Sequence, residues 1–207
     1  MAFTFFFRDL PILEAAADQL TREMAGRSRV RIWNAGCAMG PETFSFLICL
    51  AERMGKFAFQ NIILEATDID EGGDFGQIID KGEYSRGEIE RIPSELQAKY
   101  FDDLGNGKVR VTSVIKDRVR FRKNNLLELN APGTGYSMVI CKNVLLHFSA
   151  QQRVKVVQMY ADALAEGGFL VVEHTQKIPS EVSALFEPIA PGSPIYRRVA
   201  VAAKVAA

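Results

Sequence analysis

The chain has 207 residues, 48% of them hydrophobic, and this size and apolar content suit one compact domain. Its 25 basic and 25 acidic residues give a formal net charge of zero, which argues against nucleic-acid binding. No apolar stretch is long enough to cross a membrane, and the apolar amino terminus reaches Arg8 and Asp9 too soon for a signal peptide. We therefore expect a cytoplasmic protein without membrane insertion.

The three cysteines indicate neither a metal centre nor a disulfide framework. Cys37, Cys49 and Cys141 lie on or beside apolar segments, without the CxxC or His–Cys spacing of a zinc site. We expect three buried thiols in a reducing compartment and no metal site.

The first third of the chain alternates helical and strand-like segments. Apolar periodicity predicts helices at 13–25 and 42–54, and buried strands at 29–34 and 61–67. Such alternation argues for a parallel sheet with helices on its faces. The glycine-rich stretch 71–76 stands where the next helix would be expected.

The turn after the first predicted strand has the form of a ligand-binding loop. Gly36 and Gly40 allow a tight bend and close approach of a ligand, and the helix that follows directs free N–H groups towards it. For the glycine pair alone, an ordinary strand-to-helix turn is the alternative. The second strand ends at Asp68, about 30 residues beyond Gly36, near the spacing of nucleotide-binding βαβ units. Asp68 or Asp70 could instead cap the next helix, but the two features together favour nucleoside binding.

The alternating rhythm breaks between residues 84 and 121. A short helix at 93–101, an Asn106-Gly107 turn and flanking strands that include 118–121 predict a small antiparallel insertion. The rhythm then resumes with a strand at 136–141, a helix at 150–165 and a strand at 167–173. Gly167 and Gly168 are expected to end that helix, and a last strand is expected within 193–202.

These elements predict a doubly wound, Rossmann-like α/β domain over residues 1–207, with a small helix-plus-β subdomain inserted at 84–121. Its ligand crevice should lie at the carboxyl ends of the strands. The densest basic cluster alternates along one predicted strand and indicates a solvated strand face rather than a nucleic-acid site: Arg118, Arg120, Arg122 and Lys123.

Short motifs along nearly the whole chain resemble the chemotaxis-receptor glutamate methyltransferases, the CheR family. They follow the family's order and approximate spacing: Phe6-Phe-Arg-Asp9, Ile32-Trp-Asn-Ala-Gly-Cys-Ala-Met-Gly40, Ala66-Thr-Asp-Ile-Asp70, Gly82-Glu-Tyr84, Tyr100-Phe101, Asn125-Leu-Leu127, Cys141-Lys-Asn-Val-Leu145 and Gly167-Gly168. Any one of these motifs would be weak evidence, but so many in register form a specific signature.

The resemblance implies S-adenosylmethionine as the methyl donor and S-adenosylhomocysteine as the product. It places Gly36 against the methionine portion and the ribose, and it makes Glu42 the partner of the cofactor's ammonium group. It assigns the ribose hydroxyls to Asp68, and it places Asn125 and Leu126 beside the nucleoside.

The resemblance also implies two catalytic candidates, Arg8 and His147. Thr4 and Arg8 match the family's Thr-x-Phe-Phe-Arg, where the arginine reaches the methionine carboxylate or the incoming substrate carboxylate; bidentate pairing suits either role. His147 stands in place of the family's tyrosine near the transferred methyl, where a neutral imidazole could stack on the sulfonium. A partly buried packing histidine is the alternative.

The sequence departs from the family pattern in three other places. Pro41 replaces the first acid of Gly-Glu-Glu, and Lys142 replaces the usual arginine of Cys-Arg-Asn. The family's helical amino-terminal domain is not present before the Phe-Phe-Arg motif, so substrate recognition would differ or come from a separate partner.

The implied reaction is methyl transfer to a protein glutamate, with a chemoreceptor-like protein as the partner. A carboxylate is already ionised at neutral pH, so the transfer needs alignment rather than a general base. Two alternatives stay open. The acceptor could be a small carboxylic acid or another protein, or the chain could be a non-catalytic regulatory module that binds S-adenosylmethionine.

Overall fold

The computed structural model describes residues 4–24 and 26–200, and helices alternate with strands along them. Seven α-helices are present in these residues: α1 (Leu10–Glu23), α2 (Pro41–Arg53), α3 (Lys56–Phe59), α4 (Phe75–Lys81), α5 (Ser94–Tyr100), α6 (Ser113–Lys116) and α7 (Ala150–Ala163). None of them is long and apolar enough to cross a membrane.

The same residues contain ten strands: β1 (Val30–Ala35), β2 (Ile62–Asp68), β3 (Glu83–Ser85), β4 (Phe101–Gly105), β5 (Lys108–Val111), β6 (Val119–Lys123), β7 (Tyr136–Cys141), β8 (Leu164–Val172), β9 (Phe186–Pro188) and β10 (Ile195–Arg198). Seven of them form one sheet in the order β6-β2-β1-β7-β8-β10-β9. The five strands from β6 to β8 run parallel, and β10 is antiparallel to both of its neighbours. The predicted α/β architecture is confirmed.

Strand β1 shows why this sheet is buried on both faces. Its side chains alternate between two apolar cores, with Ile32 in the core that includes α1 and α2 and Trp33 in the core that includes α7. The Trp33 indole donates a hydrogen bond from Nε1 to Thr67 Oγ1 at 2.8 Å, so its polar atom is satisfied inside the core. Chain order reverses between β1 and β7, and a crevice therefore forms at the carboxyl ends of these two strands.

A second, three-stranded antiparallel sheet has the order β3-β5-β4. The predicted Asn106-Gly107 turn joins β4 to β5, with positive φ at both residues. The prediction that 118–121 belongs to this small sheet is wrong, because β6 pairs in parallel with β2 at the edge of the large sheet. Val119 is buried there opposite Leu64, and this long-range pairing determines which sheet the strand joins.

Several predicted boundaries also shift. Helix α1 begins three residues early, at Leu10, with a proline in its first turn, and Ala25 lies outside the described residues. Helix α4 does form, and it begins at Phe75 inside the glycine-rich stretch. Gly167 and Gly168 do not end α7; they lie inside β8, where a Cβ at Gly168 would be 2.9 Å from the Tyr136 carbonyl oxygen. Strand β9 was not predicted, and the expected last strand is described only as far as residue 200.

Candidate functional site

A cavity of about 550 Å³ opens at the carboxyl ends of β1, β2, β6 and β7. We call it the main cavity. All eight predicted site residues line it: Thr4, Arg8, Gly36, Glu42, Asp68, Asn125, Leu126 and His147. They come from six separate segments of the chain, and the sheet topology brings those segments to one crevice.

Glu42 lies in the first turn of α2 and is only 8% exposed. Its Oε1 accepts a hydrogen bond from Asn34 Nδ2 at 3.1 Å, and its Oε2 lies 3.1 Å from Lys142 Nζ. Asn34 is itself fixed by Thr43, whose hydroxyl donates to Asn34 Oδ1 at 2.6 Å. The carboxylate is therefore oriented by a buried polar network before any ligand arrives.

Lys142 follows β7, and its side chain is completely buried. Besides Glu42, its Nζ lies 3.1 Å from Asp9 Oδ2. A buried ammonium group is tolerated only when it is paired, and here two carboxylates supply that pairing. The sequence identified Lys142 as a departure from the family but gave no sign that it contacts Asp9, which precedes α1.

The segment that carries Thr4 and Arg8 is anchored to α2. The Phe7 backbone N–H donates to Ser45 Oγ at 2.9 Å, and Phe7 and Asp9 both have left-handed backbone angles. Arg8 Nε lies 4.0 Å from Asp9 Oδ2. This anchoring and the Asp9–Lys142 pair hold the segment against the main cavity.

Asp68 ends β2, and backbone N–H groups orient its carboxylate. Ala38 N donates to Oδ2 at 2.9 Å, and Asp70 N donates to Oδ1 at 3.2 Å. A carboxylate has about four lone-pair sites, so both oxygens can still accept further hydrogen bonds. Asn125, after β6, accepts a hydrogen bond from Leu127 N at 3.0 Å and so caps the short 3-10 turn that contains the buried Leu126.

The glycine turn has the predicted backbone conformation, with φ of +85° at Gly36 and +96° at Gly40. The space that these glycines leave is filled by protein. A Cβ at Gly36 would lie 2.2 Å from Val144 Cγ2, and one at Gly40 would lie 2.9 Å from Ile79 Cγ1. Gly36 thus allows Val144, itself part of the cavity wall, to pack against the turn.

The mouth of the main cavity has an apolar rim. Ile69, Leu127 and Leu146 line the cavity and are 45%, 41% and 46% exposed. His147 is also exposed and belongs to the 3-10 turn Leu145–His147, so it is not a partly buried packing residue. Exposed apolar side chains gathered around a cavity are typical of a surface that contacts a partner molecule.

The cavity wall includes Cys37, whose buried environment raises the pKa of its thiol well above the usual value, with the nearby Asp68 carboxylate contributing in the same direction. The thiol therefore stays neutral at physiological pH and is unsuited to act as a nucleophile. Cys49 and Cys141 are buried as well, as predicted for all three cysteines. Over 4–24 and 26–200 no three His, Cys, Asp or Glu side chains are grouped to hold a metal ion.

The fold and the main cavity define an α/β domain of the kind that binds a nucleoside-containing ligand at its topological switch point. The family model for the CheR methyltransferase S-adenosylmethionine-binding domain matches residues 2–191, and the chain belongs to this family.

Individual relatives agree with that family. The chain is 32% identical over 176 residues to chemotaxis protein methyltransferase 1 of Pseudomonas aeruginosa, covering 81% of this chain and 63% of the relative. It is 28% identical over 179 residues to the chemotaxis protein methyltransferase of Vibrio parahaemolyticus, covering 84% and 64% respectively. This chain therefore spans slightly less than two thirds of the length of these two relatives. Among solved structures, an O-methyltransferase family protein from Burkholderia thailandensis gives a TM-score of 0.49 at 14% identity, over 86% of this chain and 42% of that one.

Proposed function

We propose that the main cavity binds S-adenosylmethionine and that the chain transfers its methyl group to a glutamate carboxylate of a protein. The observation that carries this proposal is the convergence of all eight predicted residues on one cavity at the switch point of the sheet. Membership of the CheR family also supports it.

The residues present suit the chemical groups of this ligand. A volume of about 550 Å³ is within the usual range of small-molecule sites. Glu42 offers a buried carboxylate for the ammonium group, and Asp68 offers acceptors for the ribose hydroxyls. Leu126 supplies buried apolar surface for the adenine ring. Gly36, Thr4 and Asn125 also line the cavity. We assign Gly36 to the methionine portion and the ribose, Asn125 to the nucleoside, and Thr4 to cofactor binding.

When bound, S-adenosylmethionine supplies a methyl group activated by a sulfonium. The chain's own contribution is alignment and exclusion of water. Arg8 holds a carboxylate, either that of the cofactor or that of the incoming glutamate, and His147 lies at the mouth where the acceptor enters. The apolar rim restricts water there. No side chain needs to remove a proton, because the acceptor glutamate is ionised at neutral pH.

The acceptor in this proposal is a chemoreceptor-like protein, because the relatives are named chemotaxis protein methyltransferases. The buried free thiols of Cys37, Cys49 and Cys141 suit a reducing compartment, which supports a cytoplasmic location.

Calorimetry with S-adenosylhomocysteine tests the cofactor assignment. We expect Asp68→Asn to weaken binding about tenfold or more, because a charge-assisted hydrogen bond contributes roughly 1.5–3 kcal/mol. Asp80→Asn is the matched control, since Asp80 is exposed and outside the main cavity. Absence of binding to the unaltered protein would refute the cofactor assignment.

A labelled-methyl assay with chemoreceptor fragments tests the reaction. Incorporated label should be released by mild base, as expected of a carboxyl methyl ester. Binding of S-adenosylhomocysteine without base-labile transfer to any protein fragment would rule out the proposed reaction while leaving the cofactor assignment intact.

A further inference from the structure

The edge strand β6 carries a row of cations that the proposed function does not use. Arg120 and Arg122 point to one side of the strand, opposite the buried Val119, since side chains alternate along a strand. Together with the flanking cations they form what we call the basic stripe: Arg118, Arg120, Arg122 and Lys123. Because β6 is the last strand on its side of the large sheet, no other strand of the described residues covers the stripe.

Within residues 4–24 and 26–200, no carboxylate lies within ion-pair distance of the basic stripe. Several arginines elsewhere on the surface do pair with carboxylates, among them Arg31 with Glu65, Arg53 with Asp18, Arg110 with Glu83 and Arg197 with Glu23. The nearest acid in sequence, Asp117, lies 3.8 Å from Lys116 instead. The stripe is therefore a local concentration of positive charge on a chain whose formal net charge is zero.

The stripe is fixed in place without being neutralised. Each of its cations donates to a main-chain carbonyl: Arg118 to Gln60 at 2.8 Å, Arg120 to Val119 at 2.8 Å, Arg122 to Pro132 at 3.2 Å and Lys123 to Asp70 at 2.9 Å. These hydrogen bonds hold the side chains against the surface. Because the acceptors are uncharged carbonyl groups, the positive charge of the side chains remains available to a partner. Pre-positioned cations lose less side-chain entropy when a partner binds.

The stripe is continuous with the main cavity. Arg122 and Lys123 line a second cavity of about 610 Å³, and three of its residues, Ile69, Asn124 and Asn125, also line the main cavity. One acid, Glu128, lies at this second cavity, so its ionisable lining is two cations and one carboxylate. A chain lying along β6 would reach the mouth of the main cavity at its end.

We propose that the basic stripe docks an acidic segment of the protein acceptor, adjoining the glutamate that enters the main cavity. This inference rests on the proposed function for the location of the reacting glutamate. With a rise of about 3.3 Å per residue, Arg118 to Arg122 spans roughly 13 Å, enough to face several successive carboxylates of one segment. Charge complementarity of this kind speeds encounter and selects partners.

A protein segment suits the stripe better than a nucleic acid. The stripe leads to a cavity whose proposed acceptor group is a carboxylate, and acidic residues beside that carboxylate would meet Arg122 and Lys123. The chain as a whole is electrically neutral and lacks the broad positive field that nucleic-acid binding requires.

Fluorescence anisotropy with three probes tests the inference: a short peptide rich in glutamate, its glutamine counterpart and a short single-stranded oligodeoxynucleotide. The glutamate peptide should bind the unaltered protein, and its affinity should fall as salt is added. Arg120→Glu/Arg122→Glu should weaken that binding about tenfold or more and flatten the salt dependence. Arg120→Gln/Arg122→Gln should give a smaller loss in the same direction.

Lys56→Glu/Lys155→Glu makes the same change in net charge at two exposed positions outside both cavities, and should alter peptide affinity less than about twofold. Failure of the glutamate peptide to bind, equal binding of the glutamine peptide, or no effect of the stripe variants would each overturn the inference. Tighter binding of the oligodeoxynucleotide than of the glutamate peptide would overturn it in favour of a nucleic-acid partner.

Calorimetry with S-adenosylhomocysteine on the same variants separates this inference from the proposed function. The stripe variants should bind S-adenosylhomocysteine like the unaltered protein, because Arg120 and Arg122 do not line the main cavity. If the unaltered protein does not bind S-adenosylhomocysteine, the proposed function is refuted. The peptide measurements would still decide whether the basic stripe binds acidic segments.

Discussion

Lys142 Nζ lies 3.1 Å from Glu42 Oε2, and the lysine side chain is fully buried. The same ammonium group lies 3.1 Å from Asp9 Oδ2. Lys142 thus connects Glu42, the proposed partner of the cofactor's ammonium group, with Asp9, the residue that follows Arg8. Two carboxylates around one lysine leave a net negative charge, which suits the approach of a second cation from the cofactor.

Lys142→Met should lower the free energy of unfolding by about 3 kcal/mol, because removal of the lysine leaves Glu42 as an uncompensated buried charge. We place the loss at the lower end of the usual range because Asp9 is 41% exposed and can be solvated. Lys142→Arg, which restores the family's residue, should stay closer to the unaltered protein. Urea unfolding measures both.

Lys155→Met is the control for Lys142→Met, since Lys155 is exposed on α7, and it should change stability by less than about 0.5 kcal/mol. Equal stability of Lys142→Met and the unaltered protein would show that the buried triad does not stabilise the fold.

Local sequence patterns predicted correctly those features of the fold that depend on interactions between residues close together in the chain. The mostly apolar run from Tyr136 to Cys141 gives β7 its bounds as predicted, and Asn106-Gly107 gives the hairpin because both residues accept positive φ. The residues of the main cavity could be named because the sequence resembles a known family, and the parallel sheet then brings their separate segments to one edge.

Tertiary contacts decide the features that the sequence did not reveal. The segment 118–123 has an alternating pattern that suits either sheet, and only pairing with β2 assigns it to the large one. Position 168 of β8 requires a glycine because a Cβ there would lie 2.9 Å from the Tyr136 carbonyl oxygen, a contact between two strands. Burial of Lys142 depends on Asp9, far away in the chain, and no local pattern indicates such a contact.

His147→Ala should leave the affinity for S-adenosylhomocysteine within about twofold while transfer to a protein acceptor falls about tenfold or more. His147 is exposed at the mouth of the main cavity, so its loss affects the entering acceptor more than the buried part of the site. Calorimetry and the labelled-methyl assay measure the two quantities separately.

His174→Ala is the matched control for His147→Ala, because His174 is the other histidine of the chain, is exposed and lies outside the main cavity. If His147→Ala transfers methyl groups as fast as His174→Ala does, His147 has no part in the reaction.

Gly36→Ala should destabilise the fold by about 2–4 kcal/mol, since the added Cβ would lie 2.2 Å from Val144 Cγ2 on a backbone with φ of +85°. The double variant Gly36→Ala/Val144→Ala removes the clashing methyl and should recover part of this loss, leaving the strain of the left-handed backbone. Thermal and urea unfolding measure the coupling between the two sites.

Gly87→Ala is the control for that clash, because a Cβ at Gly87 would meet nothing within 4 Å. Strictly additive effects of Gly36→Ala and Val144→Ala would mean that the clash with Val144 is not the cause of the destabilisation.

Glu52→Gln should destabilise the fold at neutral pH and have no effect in acid. Hydrogen bonds from Lys99 Nζ at 2.6 Å and Tyr100 Oη at 2.5 Å lower the pKa of the Glu52 carboxyl below its usual value. A lowered pKa stabilises the fold above the unfolded-state pKa, and this contribution is lost as the pH falls through the folded-state pKa. Since the Glu52 side chain is 35% exposed, we expect at most about 1 kcal/mol at pH 7.

Urea unfolding of the unaltered protein and of Glu52→Gln across the acid range measures this dependence. The difference in stability between them should shrink from neutral pH downwards and vanish once Glu52 is protonated in the folded state. Glu90→Gln, at an exposed position, should show no comparable trend. A difference that persists unchanged into acid would mean that the substitution at Glu52 destabilises through packing, so the ionised carboxylate and its two donors would not be the cause.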